Sequence, residues 1–350
     1  MVSTPRGWSS MLVDWDSGRL SAAILAAVGL VTLCQLRLVA LIQGENVIAN
    51  AVVAESVVNH HAYWQAFQNR LLGPQVVDWL STLTGLEYDR AHLLATELLL
   101  LLANLLCLVL VRRLTGSYRT AFHYVLAFAA LFIAVQDAYW LYIWDFVDLS
   151  VMLVFAYAIV AGVQPRLFVY VYLAELFNRE AAGFVGVWMI LAAIDYAGGV
   201  KPLLKRVRWP QATLGAALIV LTVVWTQFSR ARLFLGSMNP RIGADLEHSR
   251  GEHFQLLRNL HDLLVPRKTG TAIAVAVCCA LAVLAVRLLR RADRALAIPL
   301  VGTVAAMVFS ILAFGIVTET RIYVALIPFI VMMDVASRFP RRTGAAASGG

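Results

Sequence analysis

Apolar runs long enough to cross a bilayer recur along almost the whole chain, and this decides what it can fold into. A helix needs about 20 mainly apolar residues to span the hydrocarbon core. The clearest runs are 21–43, 91–111, 211–227, 269–286 and 297–317. Backbone polar groups in hydrocarbon must be satisfied internally, so such runs fold as helices. Composition supports this: 61% of the 350 residues are hydrophobic and 14% are charged. Soluble domains carry roughly 45–50% apolar and about 25% charged residues.

We read ten spans, at 20–43, 91–111, 119–135, 149–163, 166–177, 181–197, 210–228, 269–286, 296–317 and 322–337. The expected fold is all-α, a polytopic transmembrane helical bundle of about ten transmembrane helices with external amphipathic surface helices. Residues 20–338 form one transmembrane domain, preceded by a cytoplasmic segment, 1–19, and followed by a disordered cytoplasmic tail, 339–350. The fifth span is short, so it is tilted, broken or re-entrant, and such helices often mark binding sites. No repeat points to an inverted-repeat transporter.

The net charge of +8 is topological. Arg112, Arg113 and Arg119 separate spans two and three. Lys201, Lys205, Arg206 and Arg208 follow span six, and Arg287, Arg290, Arg291 and Arg294 follow span eight. Arg338, Arg341 and Arg342 follow span ten, and Arg6 and Arg19 precede span one. With ten spans all of these share one side, which the positive-inside rule makes cytoplasmic, as in a bacterial inner membrane. Loops 44–90 and 229–268 then face outward. The second carries seven basic residues, but long loops weigh less in this rule. No basic stripe interleaved with aromatics suggests nucleic acid. The external stretches 50–67 and 251–265 read as helices lying on the membrane surface, with His248, His253 and His261 on a polar face.

Several chemistries lack their signatures. Cys34, Cys107, Cys278 and Cys279 lie in apolar runs with no CxxC spacing. There is no Walker A string, no GxSxG and no HExxH. The first apolar run reads as a retained anchor, without a small-residue cleavage site. No chain of mid-span carboxylates suggests a proton pump.

Four short strings stand apart: FQNRLLGP (67–74), WDFVD (144–148), ELFNRE (175–180) and TETRIY (318–323). In this topology all four lie at external helix ends. Ionisable groups at membrane depth are costly and functional by default. Asp145 and Asp148 are three apart, and Glu175 and Arg179 four apart, so a helix puts each pair on one face. Arginine suits phosphate because its planar fork binds two oxygens at once. A carboxylate suits a hydroxyl acceptor because it takes the proton as the oxygen attacks. The alternatives are structural. Glu175 with Arg179, and Glu319 with Arg321, also read as ion pairs stapling helices. Asp145 and Asp148 also read as a helix N-terminus. Tyr139, Trp140, Tyr142 and Trp144 also read as an aromatic belt. His60 and His61, being adjacent, read as interfacial polar residues.

These strings resemble the membrane-embedded GT-C glycosyltransferases, especially bacterial members with Asn-Arg-Glu after a short middle helix and Glu-x-Arg at the last one. Residues 178–180 match the first and 319–321 the second. FQNRLLGP resembles the aromatic-x-x-Arg-x-x-x-Pro segment of the first external loop, with Arg70 and Pro74. The resemblance implies a polyprenyl-phosphate-linked sugar donor, a glycan, lipid or protein acceptor on the external side, and a divalent metal such as Mg or Mn, for which Asp145 and Asp148 are the candidates. It also implies contact with membrane lipids. Gln68, Asn69, Arg70, Trp144, Asn178, Arg179, Glu319, Arg321 and Tyr323 become substrate-binding candidates. One departure matters. Many members carry a catalytic Asp in the first external loop, where this chain offers only Glu45 and Glu55.

The base candidates are therefore Asp145, Asp148, Glu180, Glu45 and Glu55. Asp145, flanked by Trp144 and Phe146 in a loop without Lys or Arg, is the first choice, with Asp148 orienting the acceptor. The competing functions are a transporter or flippase of a lipid-linked or anionic substrate, a polysaccharide polymerase or ligase using polyprenyl-diphosphate donors, and a structural partner subunit. A transporter would place its charges near mid-membrane. Here Arg37, Glu97 and His123 are the main charged or titratable side chains away from that face.

Overall fold

The computed structural model describes residues 22–44, 46–59, 69–137, 141–163, 165–196, 206–232, 254–265 and 268–339. Within these residues the chain folds into thirteen α-helices and two 3-10 helices, with no strand beyond one isolated bridge. The helices are α1 (Ala22–Gln43), α2 (Asn46–Val58), α3 (Leu72–Thr84), α4 (Tyr88–Thr115), α5 (Tyr118–Ala134), α6 (Ile143–Ala161) and α7 (Pro165–Asn178). They continue as α8 (Gly183–Ala192), α9 (Trp209–Arg232), α10 (Leu256–Leu264), α11 (Thr269–Arg291), α12 (Arg294–Phe314) and α13 (Ile327–Arg338). The 3-10 helices, Glu180–Ala182 and Thr320–Leu326, lead into α8 and α13.

Each of the ten apolar runs is helical, and seven stretches among the described residues are long and apolar enough to cross a membrane. These are α1, α4, α6, α9, α11, α12 and the continuous segment Thr320–Arg338. The runs at α5, α7 and α8 are shorter than a full span. The sixth run divides into a 3-10 turn and α8, and the last begins as a 3-10 helix. Of the terminal segments expected to be cytoplasmic, residues 1–19 and 340–350 lie outside the described residues.

Two segments form the interior. The apolar windows of α6 and of Thr320–Arg338 are each 89% buried, whereas that of α9 is 22% buried. A helix apolar all round belongs inside, and one with an exposed apolar face belongs against lipid. Leu30 and Leu33 on α1 and Val220 and Val224 on α9 are exposed in this way. Around α6 pack α3, α4, α7 and α13.

Polar side chains and small residues join the helices, as is usual where lipid supplies no hydrophobic drive between them. Asn104 on α4 donates to Thr32 Oγ1 at 2.9 Å and to Gln35 Oε1 at 2.6 Å on α1. Asn50 on α2 donates to the Leu141 carbonyl at 3.1 Å, just before α6. The α8–α9 contact is glycine on glycine: a Cβ on Gly215 would lie 2.6 Å from the Gly186 carbonyl oxygen.

Candidate functional site

The four strings meet at one end of the bundle, where α6 and α13 start and α7 stops. Asp145 and Asp148 occupy the first turns of α6, three apart and both fully buried. Asp145 Oδ2 accepts from the Tyr142 backbone N–H at 2.9 Å. That bond serves a helix N-terminus, whose first N–H groups lack intrahelical acceptors.

The middle string closes over this pair. α7 ends at Asn178, and Arg179 continues in an extended conformation, φ −158° and ψ 168°. Its side chain crosses to α6, where Nη1 donates to Asp145 Oδ1 at 3.1 Å and also to Asp148 Oδ2. Asn178 Nδ2 donates to Asp148 Oδ1 at 2.6 Å and to the Trp144 carbonyl at 3.1 Å.

Two further arginines arrive from the other strings. Arg321 Nε donates to Glu319 Oε1 at 2.6 Å, and its Nη1 lies 3.8 Å from Asp145 Oδ2. Its guanidinium sits 4.8 Å from the centre of the Tyr142 ring, and that of Arg70 sits 5.2 Å from Trp144. The two rings stack on each other at 4.5 Å, so the aromatic pair carries a guanidinium on each member. The Arg70 segment is fixed by Leu71 N–H, which donates to the Phe177 carbonyl at 2.8 Å. Glycine at position 73 lets α3 rest on α6, because a Cβ there would lie 3.0 Å from the Trp144 nitrogen. Burial foremost, and then the like charge of Arg179, lowers Arg70 from the usual arginine range.

No family model, curated protein or solved structure matches the chain. What the site can do therefore follows from its own geometry.

Several expectations need correction. Asp145 was expected in an apolar setting without counter-charge; it faces two guanidinium groups and a backbone N–H. Those partners come from segments remote in sequence, which a local reading cannot supply. The pairing of Glu175 with Arg179 does not form, whereas that of Glu319 with Arg321 does. Trp144 and Tyr142 are buried rather than forming a belt. Tyr323 is buried too and donates to the Val317 carbonyl at 2.9 Å, away from the cluster. Glu55 sits on α2 beside Tyr88. Asn69 is fully buried next to Arg70. Glu180, partly exposed at the start of its 3-10 turn, lies within electrostatic reach of Arg70 and Arg179. Glu45, Gln68, His60, His61, Tyr139, Trp140, His248 and His253 lie outside the described residues.

One residue gains a place that the sequence did not assign. Glu175, fully buried on α7, faces Asp148 within hydrogen-bonding reach, and neither of its oxygens accepts from an N–H group or a hydroxyl. Its position in an apolar helix was the available signal, but the i,i+4 spacing directed attention to Arg179.

The Mg or Mn expected between Asp145 and Asp148 does not fit this donor set. Each of their oxygens already accepts from Arg179, Asn178 or Tyr142. A divalent ion would have to share those oxygens with the Arg179 guanidinium, a like charge held between them, and no group of three His, Cys, Asp or Glu side chains gathers among the described residues.

Proposed function

We propose that the protein is an integral-membrane glycosyltransferase that moves a sugar from a polyprenyl-phosphate donor to a hydroxyl acceptor on the non-cytoplasmic face. The observation that carries this reading is the meeting of Arg70, Arg179 and Arg321, from three distant segments, at one end of the bundle. The lowered Arg70 adds to it, because a guanidinium whose charge is disfavoured mainly by burial gains from an anion brought beside it. The resemblance of residues 67–74, 178–180 and 319–321 to the GT-C enzymes gives the donor class.

The roles divide by exposure and by partners. Asp145 and Asp148 orient Arg179. Arg70 and Arg321, each held over an aromatic ring, receive the donor phosphate. Glu180 takes the proton, since it is a partly exposed carboxylate beside Arg70 and Arg179. The acceptor oxygen bonds to the anomeric carbon as the bond from that carbon to the phosphate oxygen breaks. Polyprenyl phosphate leaves with the bonding pair, and the arginines hold its added charge.

The test uses the full chain in proteoliposomes, with polyprenyl phosphate and polyprenol as probes. Retention of the phosphate over the alcohol is expected, falling at least about tenfold in Arg70→Lys, which keeps the charge but loses the fork. Equal retention of the two probes would overturn the reading.

A second reading is favoured by one observation: Arg179 and Asn178 close over both aspartates as a clamp would. In a structural membrane subunit the same variants would lower thermal stability while polyprenyl phosphate shows no preference over the alcohol.

A further inference from the structure

At the opposite end of the bundle from the arginine cluster lies a cavity that the proposed transfer does not use. Its volume is about 410 Å³, within the roughly 300–1,000 Å³ of small-ligand sites. It runs between α5, α11 and α13. Leu131, Cys279 and Ile330 line its deep end, and Tyr124, Arg287 and Asp334 line its mouth. Leu131 to Tyr124 is two turns of helix, so the groove is roughly 10 Å long.

Three features give its occupant. Its walls are apolar and open sideways, at the depth the spans occupy: Val283 is 51% exposed and Cys279 is exposed. Its mouth is basic. Arg287 is exposed and pairs with no described carboxylate, whereas Arg338 holds Asp334 at 2.8 Å. Asp334 also accepts from Tyr124 Oη at 2.7 Å, so the one acid at the rim is already engaged. Finally, Arg290 and Arg291 follow Arg287 at i+3 and i+4 and are also exposed, which extends the positive face by one turn.

We propose that this groove binds an anionic phospholipid, with the headgroup phosphate on Arg287 and one acyl chain along Leu131, Cys279, Leu284 and Ile330. Basic pockets between membrane helices hold anionic headgroups in this manner. The apolar length fits a chain segment, and the sideways opening admits a lipid directly from the bilayer. This site is independent of the phosphate-binding reading at the other end.

Native mass spectrometry of the full chain, released from nanodiscs of equal phosphatidylglycerol and phosphatidylcholine, tests it. Phosphatidylglycerol is expected to be retained in preference. Arg287→Gln should cut that preference by about fivefold. Ala280→Phe, which fills the groove wall, should remove the retained lipid whatever its headgroup; Ala127→Phe serves if that variant does not fold. Equal retention of the two lipids by the wild type would overturn the proposal. So would an unchanged preference in Arg287→Gln, or undiminished lipid in the folded filling variant.

Discussion

Arg179 Nη1 reaches Asp145 Oδ1 at 3.1 Å across 34 residues of sequence, joining the end of α7 to the start of α6. The guanidinium is also held by Asp148, so one cation serves two buried anions. Removing one member of such a group costs more than removing the group, because unpaired charge is left behind. Arg179→Met should therefore lower stability by about 3–5 kcal/mol. Arg179→Met combined with Asp145→Asn and Asp148→Asn should recover part of that loss. Thermal unfolding in detergent reads both, and a triple variant less stable than the single one would refute the shared-cation account.

Glu175 and Asp148 make a second pairing with a different rule. Two ionised carboxylates are acceptors only and cannot hydrogen-bond each other. Glu175→Gln keeps the shape and supplies an N–H donor to Asp148. Its melting temperature should equal or exceed that of the wild type. Glu175→Ala leaves a cavity and should cost about 2 kcal/mol or more. A Gln variant as unstable as the Ala variant would show that the second carboxylate charge is required.

The contact of α8 with α9 depends on two missing side chains. A Cβ at Gly186 would collide with the Gly215 carbonyl and lie 2.8 Å from Ile219 Cγ1. Gly186→Ala should cost about 1–3 kcal/mol through overpacking. Gly29→Ala on α1 meets nothing within 4 Å and is the control. Equal melting temperatures for the two variants would place the α8–α9 contact elsewhere.

The helices were legible because an apolar run in a membrane has few options, and the ten runs read from hydropathy are all helical. Their lengths were less legible, since Glu180–Ala182 and Thr320–Leu326 tighten into 3-10 turns that hydropathy does not register. In the site, Asp145 and Asp148 on one face followed from spacing, and Glu319 with Arg321 from the rule that charges at membrane depth pair with one another. The partner of Arg179 did not. The i,i+4 rule holds only while both residues are helical, and α7 ends one residue before Arg179. An extended Arg179 points away from Glu175 and toward α6. The same limit misplaced Asp145, whose neighbours in sequence are apolar but whose neighbours in space are arginines.

The amphipathic stretch 251–265 gives the last prediction. Among its described residues α10 exposes Leu257 and Leu264, as a helix facing lipid headgroups would, and one side chain ties it to the bundle through three hydrogen bonds. Asn259, nearly fully buried, donates through Nδ2 to the Leu312 carbonyl at 2.9 Å and to the Gly315 carbonyl at 2.7 Å. Its Oδ1 accepts from the Val317 N–H at 3.1 Å. These groups lie at and beyond the end of α12, where carbonyls have no intrahelical partner. Each buried group left unsatisfied costs about 1–3 kcal/mol. Asn259→Ala should therefore loosen α10 and open 254–265 to proteolysis at temperatures where the wild type resists. Asn259→Asp separates the roles. It keeps the acceptor for Val317 but loses both donors, and it turns a carboxylate toward two carbonyls. The Asp variant should be cleaved at least as fast as the Ala variant. If it protects the segment as well as Asn does, the two carbonyl contacts do not hold α10.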